Sequence, residues 1–222
     1  MASVDPWIFL VISFGLGILP MAVVMTTSFT KISIILALLR NSLGVQQAPS
    51  NLALSGIALA VTMLIMAPVV KKIDAELNVD SLVNGERRIS ASQLIDAVRP
   101  PITEFMLAHV DMKELKALED LTKERHLDDR QEDVSVTSDE LPTPKLTTLI
   151  SAFVISEVAS AFKIGMYLAL GFAVVDLIVA NLLMAMGMTM FPPTTVSIPL
   201  KLMVFVVSSG FARTIHGVIQ SY

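Results

Sequence analysis

The sequence contains no cysteine, and its two ends carry almost no charge. Without cysteine, neither a disulfide bond nor a thiolate metal site can form. Residues 1–69 contain only three charged residues, and residues 146–222 contain only five. Clusters of lysine and arginine, which binding to nucleic acid requires, are also missing, because the charged middle of the chain is acidic. The sequence therefore argues against a partnership with nucleic acid.

Signatures of catalysis are absent as well. The three histidines, His109, His126 and His216, have no metal-ligand spacing to one another or to acidic residues. The sequence has no Ser-His-Asp set, no glycine-rich phosphate loop and no pair of catalytic carboxylates. We therefore predict that the protein is not an enzyme and that it uses no cofactor or metal.

Long apolar segments dominate what is present. Hydrophobic residues make up 54% of the 222 residues, and the mean hydropathy is +0.70, well above that of a soluble domain. The chain divides into an apolar block at 1–70, a polar segment at 71–145 and a second apolar block at 146–222. The polar segment holds 17 acidic and 11 basic residues, and we expect it to be extracytoplasmic and mostly helical, with a flexible acidic linker at 127–145. This organisation predicts an all-α membrane protein of long, kinked helical hairpins with a small soluble insertion.

Prolines and glycines set the expected helix ends in the first block. Residues 6–30 are free of charge and long enough to span a bilayer, but Gly15, Gly17 and Pro20 predict a kink or two half-helices. A second helix is expected from about residue 21 to 41, with Gly44 as its stop. A third helix is expected at 52–70, broken or bent near Pro68, with Lys71-Lys72 marking the end of the apolar run.

Local signals continue through the rest of the chain. Ser90 with Gln93 predicts a capping box for a helix ending at Arg99, and Pro101 is expected to open another. Asp111 with Glu114 predicts the start of a third. We expect one long helix or a broken pair from 146 to about 190, then a final helix at 195–219 after the Pro192-Pro193 turn.

The membrane topology is only weakly specified. No lysine or arginine precedes the first apolar run, so we expect that run to be retained rather than cleaved as a secretory signal. Four spanning segments with both termini outside place Lys31 and Arg40 on the cytoplasmic side, as the positive-inside rule prefers. Lys71-Lys72 and Lys163 argue for the opposite orientation.

Five charged residues lie in or beside the apolar helices of the second block: Glu157, Lys163, Asp176, Lys201 and Arg213. A charge at the bilayer centre costs roughly 2.5–3.5 kcal/mol on insertion scales, so these residues must pair, face an aqueous path or lie outside the lipid. In a transporter, Glu157 and Asp176 would form a proton relay. Ion pairs between helices or between subunits are the favoured interpretation, because no third acid completes a relay.

Four methionines on alternate residues, Met184, Met186, Met188 and Met190, precede Pro192-Pro193. Residues two apart on a helix point about 200° apart, so the run cannot form one helical stripe. Gly187 and the prolines predict a helix that ends in a short loop carrying Met188 and Met190. Flexible methionine side chains could fill a core, or they could close an opening and yield to something passing through it.

Seven segments carry a common set of motifs: Leu19–Met21, Thr27–Lys31, Leu38–Asn51, Ser151–Glu157, Ala161–Gly165, Met184–Pro193 and Pro199–Leu202. Together they resemble the SctR/FliP family, the export-apparatus proteins of type III secretion in injectisomes and flagella. The resemblance extends in the same order over both apolar blocks, about two thirds of the chain. The resemblance implies an injectisome-type pore subunit of the export gate in the bacterial inner membrane. It implies a multi-pass chain, within the basal body, that passes unfolded proteins. The shortness of the chain and the lack of a cleavable signal favour the injectisome over the flagellar alternative.

The resemblance also implies partners and site residues. The partners are four further copies in a ring-shaped homopentamer, the smaller subunits SctS and SctT, and SctU. The family's methionine constriction falls on Met188, Thr189 and Met190. Threonine departs from the family pattern there, so either the seal is less apolar at that level or Phe191 compensates. Contacts between subunits or helices fall on Glu157, Lys163 and Lys201. A small-solute or proton-coupled transporter is the alternative from another class.

Overall fold

The computed structural model describes residues 6–45, 48–77, 90–128 and 145–222, and these residues form helices joined by short connections. The helices are α1 (Pro6–Thr26), α2 (Phe29–Leu43), α3 (Asn51–Leu77), α4 (Ala91–His109), α5 (Met112–Asp128), α6 (Leu146–Ala185), α7 (Thr194–Val207) and α8 (Gly210–Gln220). Helices α3 and α6 are each long and apolar enough to cross a membrane. The described part of the chain could hold up to four spans if α1 with α2, and α7 with α8, each count as one. The predicted all-α fold with membrane-spanning capacity is confirmed.

The first helix boundary differs from the prediction. Helix α1 continues through Pro20 to Thr26, and α2 begins at Phe29 rather than near residue 21. A proline removes only one backbone hydrogen bond, and apolar helices within membranes tolerate that loss. The break comes instead at Thr27 and Ser28, after Thr26 has turned its hydroxyl back to the Ala22 carbonyl at 2.9 Å.

The connection between α2 and α3 follows the local sequence signals. Gly44 has a φ of +78° and donates its N–H to the Asn41 carbonyl at 3.0 Å, which confirms the predicted stop. Ser50 accepts the Ala53 N–H on its hydroxyl at 3.2 Å at the start of α3. The predicted end of this helix at residue 70 is wrong, because α3 continues past Pro68 and both lysines to Leu77. Beyond residue 70 the helix carries its polar side chains on an exposed face.

The polar segment contains fewer helix breaks than expected. The capping box of Ser90 and Gln93 is confirmed, with both of its hydrogen bonds present. The predicted break at Arg99 is wrong, since α4 runs through Pro100 and Pro101 to His109. Packing beyond the prolines favours continuity, because Phe105 meets Phe153 with ring centroids 5.9 Å apart.

The next helix starts where the sequence indicates. Asp111 accepts the Lys113 N–H at 2.9 Å, so the predicted start of α5 is confirmed. Helix α5 extends to Asp128, and most of the predicted linker at 127–145 lies outside the described residues.

The final predicted helix at 195–219 is two helices. Helices α7 and α8 meet at an angle of 62° at Ser208 and Ser209. Ser209 adopts the left-handed conformation with a φ of 53°. Gly210 follows so close to Phe205 that a Cβ there would lie 2.3 Å from the Phe205 ring. The glycine thus permits a bend that helical periodicity does not show.

The chain divides into two compact units, and the division cuts across the apolar blocks of the sequence. Unit 1 comprises Met1–Ser28 and Met66–Ser156, and unit 2 comprises Phe29–Ile65 and Glu157–Tyr222. Unit 1 buries Met106, Leu149 and Phe153 completely or almost so. The core of unit 2 is formed by residues of α2, α3, α6 and α8: Ile32, Ile35, Leu36, Leu54, Ala58, Ala161 and Val218. Unit 2 contains all the candidate site residues.

Candidate functional site

Helix α6 ends in a glycine cap just before the methionines. Gly187 has a φ of +76° and donates its N–H to the Met184 carbonyl at 3.0 Å. Met188 donates its N–H to the Leu183 carbonyl at 2.9 Å. This pair of bonds is the Schellman motif, which satisfies the last helical carbonyls and reverses the chain. The helix therefore ends before the loop, as the glycine and prolines predicted.

The methionine loop, residues 186–193, is short and internally ordered. The Phe191 N–H bonds to the Met188 carbonyl at 3.3 Å, which closes a turn around Thr189 and Met190. Pro193 then opens α7 and accepts the Ser197 N–H at 2.9 Å. The loop is thus held between two helix ends that its own sequence defines.

The apolar side chains of the loop are uncovered in this chain. Met190 is 98% exposed and Met186 is 71% exposed. Met188, Thr189 and Phe191 are exposed as well. Removing such side chains from water is favourable, by about 25 cal/mol for each Å² of apolar surface. These methionines therefore do not fill the core of the chain. Their exposed apolar side chains are suited to packing against other apolar groups.

Unit 2 buries a charge cluster formed by Lys31, Glu157 and Tyr222. The Lys31 ammonium lies 3.6 Å from Glu157 Oε1, and both side chains are almost fully buried. The Tyr222 hydroxyl donates to Glu157 Oε2, and the Lys31 ammonium lies 4.3 Å from the centre of the Tyr222 ring. Burial, followed by the adjacent Glu157 carboxylate, raises the pKa of the Tyr222 phenol, so the hydroxyl stays protonated as a donor. The cluster joins α2 and α6 to Tyr222, the second residue after α8.

A second ion pair joins α6 to α7. The Lys201 ammonium lies 2.5 Å from Asp176 Oδ2 and also donates to the Ser42 carbonyl at 3.3 Å. Lys201 is buried, whereas the Asp176 side chain is 45% exposed. The pair borders a cleft of about 550 Å³ whose lining includes Asn41, Ala173 and Thr194. The Asp176 side chain is therefore partly exposed beside the cleft, although its Oδ1 atom is itself buried.

The structure separates the charged residues that the sequence singled out. Glu157 and Asp176 lie in different ion pairs, each with its own lysine, so the two acids do not form one relay. Lys163 is exposed and makes no ion pair with any residue that the structure describes. No group of three or more histidine or acidic residues with the geometry of a metal site occurs among the described residues.

Sequence reasoning missed three members of these networks. It used Lys31 and Arg40 as markers of topology without giving them partners, and it gave Tyr222 no role. Arg40 bonds the Asn51 side chain at 2.6 Å and the Pro49 carbonyl at 3.3 Å, so it fastens the start of α3 to α2. A lone charge in an apolar run signals that a partner exists, but its spacing does not say where.

Comparison with known proteins gives consistent matches over nearly the whole chain. Residues 12–218 match the FliP family. The hypersensitivity response secretion protein HrcR of Ralstonia nicotianae is 38% identical, over 96% of this chain and 95% of the relative. The Yop proteins translocation protein R of Yersinia pestis is 39% identical, over 93% and 92%. The surface presentation of antigens protein SpaP of Salmonella typhimurium is 35% identical, over 92% and 91%.

Proposed function

The chain belongs to the FliP family, and we therefore propose that it is the pore-forming subunit of a type III secretion export gate. It serves protein transport across the bacterial inner membrane, as a multi-pass chain within the basal body of the secretion system. The relatives' names refer to secretion of the hypersensitivity response, Yop translocation and surface presentation of antigens, and these names favour an injectisome over a flagellum.

The methionine loop is the observation that carries this proposal. A capped helix end holds a run of apolar side chains that stay exposed within the part of the chain that the structure describes. In a ring of copies, such loops meet around a common axis and exclude water from the opening, as hydrophobic constrictions do in channels. Methionine is unbranched and flexible, so the seal deforms around a passing unfolded polypeptide. Met188 and Met190 form this seal, with Thr189 as its polar member and Phe191 beside it.

The assembly that this function requires is a homopentamer with SctS, SctT and SctU. The large exposed apolar surface of α6, with residues such as Leu170, Leu177 and Leu182, supports burial against lipid or other subunits. Lys163, exposed on the same helix, is available for a contact between subunits. Glu157 and Lys201 stabilise contacts between helices of one chain, and the second pair borders a cleft at which the Asp176 side chain is partly exposed.

The protein acts without catalysis or a cofactor, and the energy for export comes from other parts of the machine. The transporter alternative loses its main support, because Glu157 and Asp176 are each neutralised by a separate lysine.

Ion leakage tests the pore assignment directly. In cells that carry the complete export apparatus, the double substitution Met188→Ala and Met190→Ala should raise small-ion leakage, because the shorter side chains leave the opening wet. The matched control is Met112→Ala, since Met112 is also exposed, at 55%, but lies in the polar segment. The control should leave leakage unchanged. Equal leakage in all three proteins would contradict a sealing role for the loop.

A further inference from the structure

The bend between α7 and α8 leaves a cleft against α6. The two helices diverge by 62° at Ser208 and Ser209, and the cleft between them and α6 has a volume of about 330 Å³. Sites that bind small molecules usually have volumes of about 300–1,000 Å³. The bend is built into the backbone, because Ser209 is left-handed and a Cβ at Gly210 would clash with the Phe205 ring. The cleft is therefore a feature of the fold of unit 2.

The lining of this cleft is mostly apolar. One face of α6 contributes Leu168, Phe172 and Val175. Phe172 meets Phe205 of α7 with ring centroids 6.1 Å apart, so aromatic rings of two helices form part of the wall. Gly171 leaves the cleft open on the α6 side, because an added Cβ there would have no neighbour within 4 Å. Such a surface suits a flexible hydrocarbon chain, whose apolar area it removes from water.

Arg213 is the charged residue of the cleft. It forms no ion pair or side-chain hydrogen bond with any residue that the structure describes. The hydroxyls of Ser208 and Thr214 also line the cleft, but they already donate to the carbonyls of Phe205 and Gly210. The Arg213 guanidinium therefore remains to donate to a ligand, and its forked N–H groups match the oxygens of a phosphate.

We propose that this cleft binds an anionic phospholipid, with an acyl chain along the apolar lining and the phosphate at Arg213. Helices α7 and α8 together are long and apolar enough to count as one bent span, so lipid surrounds the cleft. A charge within a span is costly unless it has a partner, and a lipid phosphate supplies the counter-charge. Arg213 lies seven residues before the end of α8 at Gln220, about 10 Å along the helix, so its long side chain reaches the headgroups.

The lipid site and the methionine loop lie at opposite ends of α7. The helix has 14 residues and extends for about 21 Å between the loop and the bend. A ring of loops that meet around a pore axis therefore does not cover the cleft. The proposal concerns the chain in its membrane and does not rest on the proposed pore.

Selectivity for the headgroup is tested on the purified, delipidated full-length chain in detergent. Native mass spectrometry with phosphatidylglycerol and phosphatidylcholine of equal acyl length should show a preference for the anionic lipid of about fivefold, as one basic group near an anionic headgroup provides. Arg213→Gln should abolish this preference, and Arg213→Lys should keep part of it. Lys163→Gln, the matched control, removes an exposed cation of α6 that lies outside the cleft, and it should keep the full preference. An unchanged preference in Arg213→Gln would overturn the proposal.

The apolar part of the site is tested with Gly171→Leu. Because the new side chain enters open space, it should fill the cleft without unfolding the protein and should weaken the binding of both lipids severalfold. Gly171→Ala adds a single methyl group and should have a much smaller effect. Thermal unfolding in detergent checks that both variants are folded. Lipid binding by folded Gly171→Leu equal to that of the unmodified protein would mean that no acyl chain occupies the cleft.

The competing occupant is an acidic side chain of another subunit, and the assembled export apparatus distinguishes it from a lipid. Mass spectrometry of the apparatus purified from cells should find phosphatidylglycerol bound to the unmodified protein and depleted in Gly171→Leu. Absence of bound phospholipid from the unmodified apparatus would overturn the proposal. Loss of a neighbouring subunit in Arg213→Gln, without any loss of lipid, would identify a protein acid as the occupant instead.

Discussion

At the scale of single residues, the cluster of Lys31, Glu157 and Tyr222 shows how a charge is retained inside an apolar block. Taking an ion pair out of water is costly, and further polar contacts to both partners offset that cost. The ammonium faces the Tyr222 ring, and the carboxylate accepts from the Tyr222 hydroxyl as well as pairing with Lys31. The role of this cluster is thus to fix the position of three chain segments within unit 2.

Neutralising Glu157 should therefore destabilise the protein strongly, although the substitution changes only a few atoms. The substitution Glu157→Gln keeps the shape but leaves the Lys31 ammonium buried without a counter-charge, which should lower the free energy of unfolding by about 3–5 kcal/mol. Chemical denaturation of the purified chain in detergent measures the loss. Adding Lys31→Met to Glu157→Gln should recover part of the stability, because the orphaned charge is then gone.

An exposed lysine on the same helix provides the control for that measurement. Lys163 makes no ion pair with a described residue, so Lys163→Gln should change the free energy of unfolding by no more than about 0.5 kcal/mol. If Glu157→Gln proved as mild as Lys163→Gln, the buried pair would not stabilise the fold.

At the scale of helices, the sequence predicts ends that depend on local hydrogen bonds and mispredicts those that depend on packing. Three ends were predicted correctly because each depends on hydrogen bonds to residues no more than four positions away. They are marked by Gly44, by the capping box of Ser90 and Gln93, and by Asp111. Neither Pro20 nor Pro68 breaks its helix, since one missing hydrogen bond does not outweigh a long apolar helix. The bend at Ser209 was missed because it depends on the close approach of Phe205 to Gly210. The spacing of apolar residues along the sequence does not reveal such a contact.

The candidate site also has one part that the sequence predicts and one part that it does not. The loop geometry was predictable from Gly187 and the double proline, because a glycine cap and a proline turn are local. The partners of Glu157 and Lys201 were not, since Lys31 is 126 positions from Glu157 and Asp176 is 25 positions from Lys201 along the chain. Charge spacing on one helix cannot specify a partner on another.

Two glycines of α6 give a matched test of helix packing. A Cβ at Gly165 would lie 2.3 Å from Leu38 Cδ1 and 3.0 Å from Leu38 Cβ, so α2 and α6 approach closely there. Leu38 cannot rotate its own Cβ away, and Gly165→Ala should therefore destabilise the protein by about 1–3 kcal/mol. Gly171 has no neighbour within 4 Å of an added Cβ, so Gly171→Ala should be neutral or stabilise the helix by up to about 1 kcal/mol. Thermal unfolding in detergent compares the two variants, and equal effects would mean that close packing at Gly165 does not matter.

At the scale of the whole molecule, the distribution of charge and apolar surface indicates how the chain meets the membrane. Helices α3 and α6 have the length and hydropathy of spans, whereas α4 and α5 lie in the acidic segment. With four spans and both termini outside, the connection between α2 and α3 lies on the cytoplasmic side and residues 78–145 lie outside. The absence of cysteine makes this arrangement testable without background, because any introduced thiol is unique.

Labelling with a membrane-impermeant maleimide should therefore distinguish two exposed positions. In intact spheroplasts, Lys116→Cys should react fully, because Lys116 is exposed and the four-span arrangement places α5 outside. Ala48→Cys, between α2 and α3, should react only after the membrane is permeabilised. Both thiols are exposed in the folded chain, so a difference in reactivity reports the side of the membrane rather than burial. Equal reactivity in intact spheroplasts would contradict the four-span arrangement. It would place the α2–α3 connection on the same side of the membrane as α5.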